Sequence, residues 1–376
     1  MMNIIDAHVH YSPQIGPEKL AGFLTETGTD SAVIQAVSHS RCITLVPGAL
    51  MMKQLHPGSF YVFGSPDAAG YVLHRESLGE HFAGYAELIR CAGCDGVKLL
   101  EGKPQMRKQY RVPDFDEPVW EPFWQYAEET GLPLLFHVND PEGFWSADAS
   151  EWIKRQGWCY DESFVNNEDQ YRQVLTVLER HPGLKIIFAH FFFMSAQLER
   201  LSGILDAYPG VAVDLTPGIE MYENFSADFE AASAFFEKYH DRIIYGTDVG
   251  GRCVLTNEGE PFNRDENIRR PEIVRAFLTN RGEELISADG NFIRDRQPFT
   301  MKCLGLRGER LEESLSGNFI RFAGGEPSPV DPEAVLELCA IMREEMIDLA
   351  DADSAFDPDC SELDSAERFF SEIVYG

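Results

Sequence analysis

The sequence predicts an α/β chain folded as a closed (β/α)8 barrel, a TIM barrel, with a C-terminal helical extension. Three observations carry the prediction. Eight short apolar runs rich in β-branched and aromatic residues recur at intervals of 26 to 52 residues, each bounded by Gly, Pro or Asp. Segments of helical period lie between them. The histidines and the aspartate with ligand-like placement fall at the C-terminal ends of those runs, the rim that carries chemistry in such a barrel.

The first run, 4–10, ends in Asp6-Ala7-His8-Val9-His10. Side chains two apart on a strand point to one face, so His8 and His10 stand side by side and can share a metal ion. Packing alone gives no reason for two imidazoles there, because each buried ring needs hydrogen-bond partners. The runs 31–38, 60–66, 96–100, 133–139, 185–190, 211–216 and 243–248 complete the eight. They are nearly continuous in apolar character, as expected of parallel strands buried on both faces. Between them, stripes such as Trp120, Phe123, Trp124 and Ala127, or Tyr171, Val174, Leu175 and Leu178, mark helix faces that pack on the sheet. A doubly wound open sheet would want a glycine-rich phosphate loop after the first strand, and Tyr11-Ser12-Pro13 follows instead.

His137 lies near the end of the fifth run, His190 ends the sixth and Asp248 ends the eighth. Three imidazoles and a carboxylate around one open position make a catalytic metal site, with water or substrate completing the shell. The ion lowers the pKa of bound water and polarises a carbonyl. Zinc, manganese and iron all suit these donors, and one divalent ion, zinc, is expected. His56, His74, His81 and His240 have no ligand-like spacing and read as surface or packing residues. His181, in the turn before the sixth strand, reads as structural.

Three long segments leave the same rim. Residues 140–169 contain Phe144, Trp145, Trp152, Trp158 and Tyr160, which either roof a pocket or form a small satellite core. Residues 250–300 hold Arg252, Arg264, Arg269 and Arg270, with Pro271 placed to open a helix reaching about Leu285. Residues 105–111 are basic, which reads as a solvated loop or a hint of an anionic ligand. Gly324-Gly325-Glu326-Pro327 then marks a hinge, dividing a barrel domain, 1–325, from an extension, 326–376. Asp331 caps a helix with Pro332 at its first position. Phe369, Phe370, Ile373 and Val374 give the last helix an apolar stripe that docks on the barrel or on a partner subunit.

With 32 basic and 62 acidic residues the chain carries a net charge of −30, which repels phosphate backbones and anionic lipid heads. The expected partner is a small-molecule substrate, with no nucleic acid and no membrane. The N-terminus has no basic and apolar leader pattern, and no apolar run is long enough to span a bilayer, so a cytoplasmic protein is expected. Eight cysteines without framework spacing read as reduced thiols, and Cys91 and Cys94 have no second pair to complete a four-thiolate site. A homodimer is expected, because two-fold dimers are the commonest oligomers and the extension offers an apolar face.

Together these motifs resemble the amidohydrolase superfamily, specifically its amidohydrolase-related (amidohydrolase 2) branch of metal-dependent hydrolases and decarboxylases. The resemblance rests on Ile5-Asp6-Ala7-His8-Val9-His10, Gly96-Val97-Lys98, Leu135-Phe136-His137, the segment from His181-Pro182-Gly183 to Ala189-His190, Tyr245-Gly246-Thr247-Asp248, and Leu315-Ser316-Gly317-Asn318-Phe319. It covers residues 4–323. It implies His8, His10, His137 and Asp248 as metal ligands and His190 as the catalytic histidine.

The activity implied is hydrolysis of a small carbonyl compound, carboxylated in one version, through metal-activated water. Asp248 would take the water's proton and His190 would stabilise the oxyanion. The alternative on the same site is non-oxidative decarboxylation of a small aromatic or unsaturated carboxylic acid. Arg252 and Arg41, on strand-exit loops, are candidates for gripping a substrate carboxylate, and His39 follows the second strand on the same rim. A catalytically silent ligand-binding barrel would have no need to keep His190 and Asp248 beside the three metal histidines. Two departures stand out. Phe191-Phe192-Phe193 follows His190 where relatives commonly carry glycines, which predicts a bulky wall beside the substrate. Lys98 lies in the strand that supplies a carboxylated, metal-bridging lysine in binuclear members, yet its motif looks more like the mononuclear branch, with Glu101 the alternative extra ligand.

Overall fold

The computed structural model describes residues 3–38, 41–218, 220–251, 262–287 and 298–376. The eight apolar runs form eight parallel strands paired in chain order: β1 (Ile5–His10), β2 (Ser31–Ala36), β3 (Phe60–Gly64), β4 (Gly96–Gly102), β5 (Pro133–Val138), β6 (Lys185–Phe188), β7 (Val211–Asp214) and β8 (Ile243–Ile244). The two ends of the sheet meet. Ala7 N–H donates to the Tyr245 carbonyl at 2.9 Å, Asp248 N–H to His8 at 2.8 Å, and His10 N–H to Val249 at 2.8 Å. Closure of the barrel is therefore also what sets His8, His10 and Asp248 side by side.

Inside the barrel Ile5, Ala7, Val33, Tyr61, Leu135 and Ile187 form a packed layer. Phe319, from the helix Asn318–Ala323, closes its N-terminal end by packing edge-on against Tyr61 at 5.0 Å. The candidate metal residues His8, His10 and Asp248 lie at the other end. Both β1 and β4 carry a register shift there, between Asp6 and Val9 and between Leu99 and Gly102. Such bulges re-aim side chains next to sites.

The extension consists of helices Pro332–Ala352 and Ser361–Tyr375. Asp331 caps the first, accepting from the Glu333 and Ala334 amides at 3.0 and 3.2 Å. In the second, Leu363, Ala366 and Phe370 are buried and belong to the same apolar core as the barrel helices. The helix thus packs on the chain's own barrel, one of the two docking surfaces expected. No helix among the described residues is long and apolar enough to cross a membrane.

Several expected boundaries move, each for a physical reason. The sixth run leaves the sheet at Phe188 because the backbone turns left-handed just beyond, with φ of 53°, 56°, 58° and 52° from His190 to Phe193; the eighth is paired only over Ile243–Ile244 and turns left-handed at Asp248, φ 59°. Pro271 does not open its helix. It sits inside the helix Arg264–Thr279, which starts one turn and more earlier because the Asn263 side chain caps it by accepting from Glu266 N–H at 3.1 Å. Residues beyond it form an antiparallel pair, β9 (Arg281–Ile286) and β10 (Phe299–Leu304). The basic stretch 105–111 is mostly helix, Pro104–Tyr110, and its Arg107 is buried. That guanidinium serves structure, bonding Gln173 and Asp114 and lying 4.5 Å above the Phe115 ring.

Candidate active site

The centre of the rim is a triangle of donor atoms. His8 Nε2 and His10 Nε2 lie 3.2 Å apart, and Asp248 Oδ1 lies 3.2 Å from the second and 3.7 Å from the first. A triangle with those edges has its centre about 2.0 Å from each corner, the length of a metal–imidazole bond. The three residues form a candidate metal site, and their chemistry fits a divalent ion. Three further observations support the fit. His8 Nδ1 lies 2.8 Å from Asp214 Oδ2, so the ring donates there and its Nε2 lone pair faces the triangle. Burial holds His8 well below, and His10 below, the ordinary histidine pKa, which keeps both rings neutral and able to ligate. A Cβ on Gly251 would sit 2.2 Å from Asp248 Oδ1, so only glycine leaves the carboxylate its place.

Each group is held from below by the fold. Asp6, the first residue of the Asp-x-His-x-His motif, accepts from the His8 and Thr247 amides at 3.2 and 3.1 Å, tying β1 to the residue before Asp248. Asp214 Oδ1 takes the His190 amide at 2.8 Å and the Thr216 amide at 3.1 Å. Lys98 Nζ, in β4, lies 3.0 Å from His8 Nε2, and burial pulls its ammonium down to about 8. Cation binding and protonation of Lys98 therefore oppose each other.

His137 and His190 face the same cavity but stand apart from the triangle. Their ring centres are 4.9 Å apart, and His190 lies 5.5 Å from His8. His137 Nε2 is 3.5 Å from Asp140 Oδ1 without the alignment of a hydrogen bond, so it is a buried nitrogen lacking a partner, as are His190 Nδ1 and His10 Nδ1. Orphaned polar atoms gathered on one cavity mark where a bound group would be met. Burial keeps His137 below, and His190 well below, the ordinary pKa, so both are neutral near pH 7.

Sequence reasoning named Arg270 among the rim arginines but gave it no part in the site, which it alters most. Its Nη1 lies 2.9 Å from Asp248 Oδ2 and its Nη2 2.9 Å from Glu266 Oε1. Burial works against ionisation of Asp248, but Arg270 and the His10 contact outweigh it and hold the carboxyl well below its ordinary range. Glu266 and Arg270 are four apart on one helix, so the pair was legible; its aim at Asp248 was not. Asp214 was missed, although a lone carboxylate ending an apolar strand on that rim is a usable signal.

The aromatic loop does both things expected of it. Phe144, Trp152 and Trp158 line the cavity, with Phe144 and Trp158 stacked at 5.7 Å. Trp145 and Tyr160 pack together behind them at 4.8 Å. Asp140 anchors the loop by accepting from Lys103 Nζ through both oxygens at 2.8 Å and from the Tyr160 hydroxyl. The bulky wall shrinks to one residue. Phe193 lines the cavity and stacks on His190 at 5.0 Å, while Phe191 and Phe192 turn outward, onto Phe236 and Phe188.

Of the proposed substrate-binding residues, Arg252 and His39 lie outside the described residues. Arg41 is half-exposed and directed at the extension, with Asp357 at 3.0 Å and Asp359 at 4.0 Å; it does not line the cavity, because those carboxylates draw it away. The cations that do line it, among the described residues, are Lys103 and Arg270.

Fold and site define a (β/α)8-barrel enzyme with a candidate metal site at the C-terminal rim. The chain belongs to the amidohydrolase family, whose profile matches residues 78–278, just over half its length. That family is metal-dependent and contains hydrolases and decarboxylases. No curated protein sequence matches the chain. Among solved structures it is similar to an amidohydrolase II, at 13% identity over 85% of this chain and 99% of that one with a TM-score of 0.52. It is also similar to IDCase from Metarhizium anisopliae, at 14% identity over 86% and 97% with a TM-score of 0.51. At such identities the likeness shows the barrel alone.

Proposed function

We propose that this chain is a metal-dependent hydrolase of a small, flat carbonyl compound, with one divalent ion held by His8, His10 and Asp248. The observation that carries this reading is the triangle of donor atoms beside a cavity also lined by His137 and His190, whose Nε2 and Nδ1 have no hydrogen-bond partner. Two imidazoles and a carboxylate favour zinc among the ions that suit them. We assign His137 as the fourth donor on the strength of its orphaned Nε2, and the metal content of His137→Ala tests that assignment.

When bound, the ion supplies Lewis acidity, polarising a carbonyl and making water acidic. The remaining work belongs to the chain. Asp214 fixes the His8 tautomer and, through the His190 amide, the position of the second histidine. His190, neutral and unpartnered at Nδ1, takes the proton that leaves water and returns it to the leaving group. Asp248 was the acceptor expected from the sequence; with Arg270 on its second oxygen it is a weak base, and its part in this reading is ligation. Phe144, Trp152 and Trp158 select a planar substrate, and Lys103, 5.4 Å from the Trp158 ring centre, meets a substrate carboxylate.

The Arg270–Asp248 pair also favours a second reading, decarboxylation, since that reaction needs a proton delivered to carbon and no strong carboxylate base. The deciding experiment offers lactones, cyclic amides and aromatic acids to the zinc-loaded protein in 18O-labelled water. Label in a new carboxyl group is the expected result. Carbon dioxide released from a retained ring would replace hydrolysis by decarboxylation.

A further inference from the structure

A second group of metal-capable side chains lies outside the barrel mouth, where the extension meets the barrel. Asp67 lies between β3 and the short helix Gly70–Leu73, His74 ends that helix, and His81 lies on the helix Leu78–Ala92. Glu345 comes from Pro332–Ala352 of the extension. We propose that Asp67, His74, His81 and Glu345 form a structural divalent-metal site, zinc by its donors, that fastens the extension to the barrel.

Geometry and charge carry the proposal. One ligand-capable atom from each of His74, His81 and Glu345 lies within 4.8 Å of the others. His81 Nε2 is 2.7 Å from Asp67 Oδ2, and His74 Nε2 is 3.6 Å from Glu345 Oε1. Two imidazoles with two carboxylates are donors that zinc accepts in four-coordinate sites. The carboxylates need positive charge: Asp67 is fully buried, Glu345 Oε2 is buried without a hydrogen-bond partner, and the ion-pair partners of both among the described residues are these two imidazoles.

The site is also built sterically. A Cβ on Gly70 would stand 2.9 Å from His81 Cδ2 and 2.5 Å from Phe82 Cε1, so glycine is what admits the His81 ring. The Gly70 amide donates to Asp67 Oδ1 at 2.9 Å and fixes that carboxylate as a ligand's outer contact does. The two rings stack with centres 4.0 Å apart, and His74, the more exposed, supplies the adjustment that coordination requires. No sequence spacing shows this site, because Glu345 joins the two histidines only after the chain has gone once round the barrel.

The test uses the full chain carrying His8→Ala and His10→Ala, which removes the barrel-mouth site. After chelation, zinc alone is titrated calorimetrically and bound metal is measured by elemental analysis. One equivalent of zinc should remain in this variant, raise its Tm, and be lost when His74→Asn and Glu345→Gln are added. Cobalt(II) in its place should give the visible absorption of a four-coordinate ion. No bound zinc, or an equivalent that survives His74→Asn and Glu345→Gln, overturns the proposal. If the starting variant does not fold, the natural chain is compared with His74→Asn/Glu345→Gln alone. Two equivalents against one supports the site; equal stoichiometry overturns it.

Discussion

Replacing Arg270 by Met tests the charge balance on which the proposed division of roles depends. Arg270 and Glu266 are 3% and 2% exposed, and one guanidinium serves both Glu266 and Asp248 at 2.9 Å. Methionine keeps much of the aliphatic volume but takes the Arg270 guanidinium away from buried Glu266 and part-buried Asp248. Removing one partner of a buried pair costs about 3–5 kcal/mol, and the metal-free protein should lie near the top of that range. A bound ion gives Asp248 a partner again, so saturating zinc should bring the loss toward about 3 kcal/mol. Adding Glu266→Gln should recover most of the remainder, since a neutral amide needs no counter-charge. The assay is urea unfolding followed by tryptophan fluorescence, with and without zinc, for the single and double variants. A loss under about 1 kcal/mol, the range of an exposed pair, would refute the buried clamp. A loss unaffected by zinc would refute the link between Asp248 and the ion.

Metal content should fall by one equivalent in His8→Ala/His10→Ala, measured elementally on chelator-free protein; undiminished metal would remove both from the ligand set. Asp248→Asn should weaken metal affinity yet regain activity at saturating metal, whereas His190→Asn should lower kcat about 10²-fold or more with metal content unchanged. The opposite pattern would return the proton to Asp248. Stability should fall as pH drops below about 6.5, because the unfolded chain takes up protons there that His8, His10, His137 and His190, all depressed by burial, refuse in the fold. Each imidazole subtracts about 1.4 kcal/mol per pH unit until its own folded pKa is reached. Urea midpoints that stay flat from about pH 6.5 to 5 would show that these rings are not held neutral.

The barrel was legible because parallel strands buried on both faces leave unbroken apolar runs, and all eight were found. His8, His10 and Asp248 were legible because each ends a run. What the sequence did not reveal is pairing at a distance. Asp214 reaches His8 across 206 positions, and Lys103 meets Asp140 across 37. Arg270 lies only 22 positions from Asp248, but its approach depends on the course of a helix that Asn263, rather than Pro271, begins. Hydrophobic period specifies which face of an element is buried; it does not specify which polar tips meet once the elements have docked.

The turn from His190 to Phe193 shows how far local chemistry can mislead. Four consecutive non-glycine residues in the left-handed region cost about 1–2 kcal/mol each, so about 4–8 kcal/mol in all. A chain with glycines there would avoid most of that cost, and the three phenylalanines read as a wall built against the substrate. The burial of all three is instead what offsets the strain, with Phe191 and Phe192 packed away from the cavity. Phe192 stacks on Phe188 at 3.8 Å, its carbonyl accepts from the Tyr171 hydroxyl at 3.0 Å, and Phe191 lies edge-on to Phe225 at 4.8 Å. Burying three phenylalanine side chains contributes about 1.5–3 kcal/mol each, enough to hold the turn. With the backbone so fixed, the His190 amide points to Asp214 and its ring faces the cavity. The aromatic run thus shapes the cavity mainly through the histidine it positions.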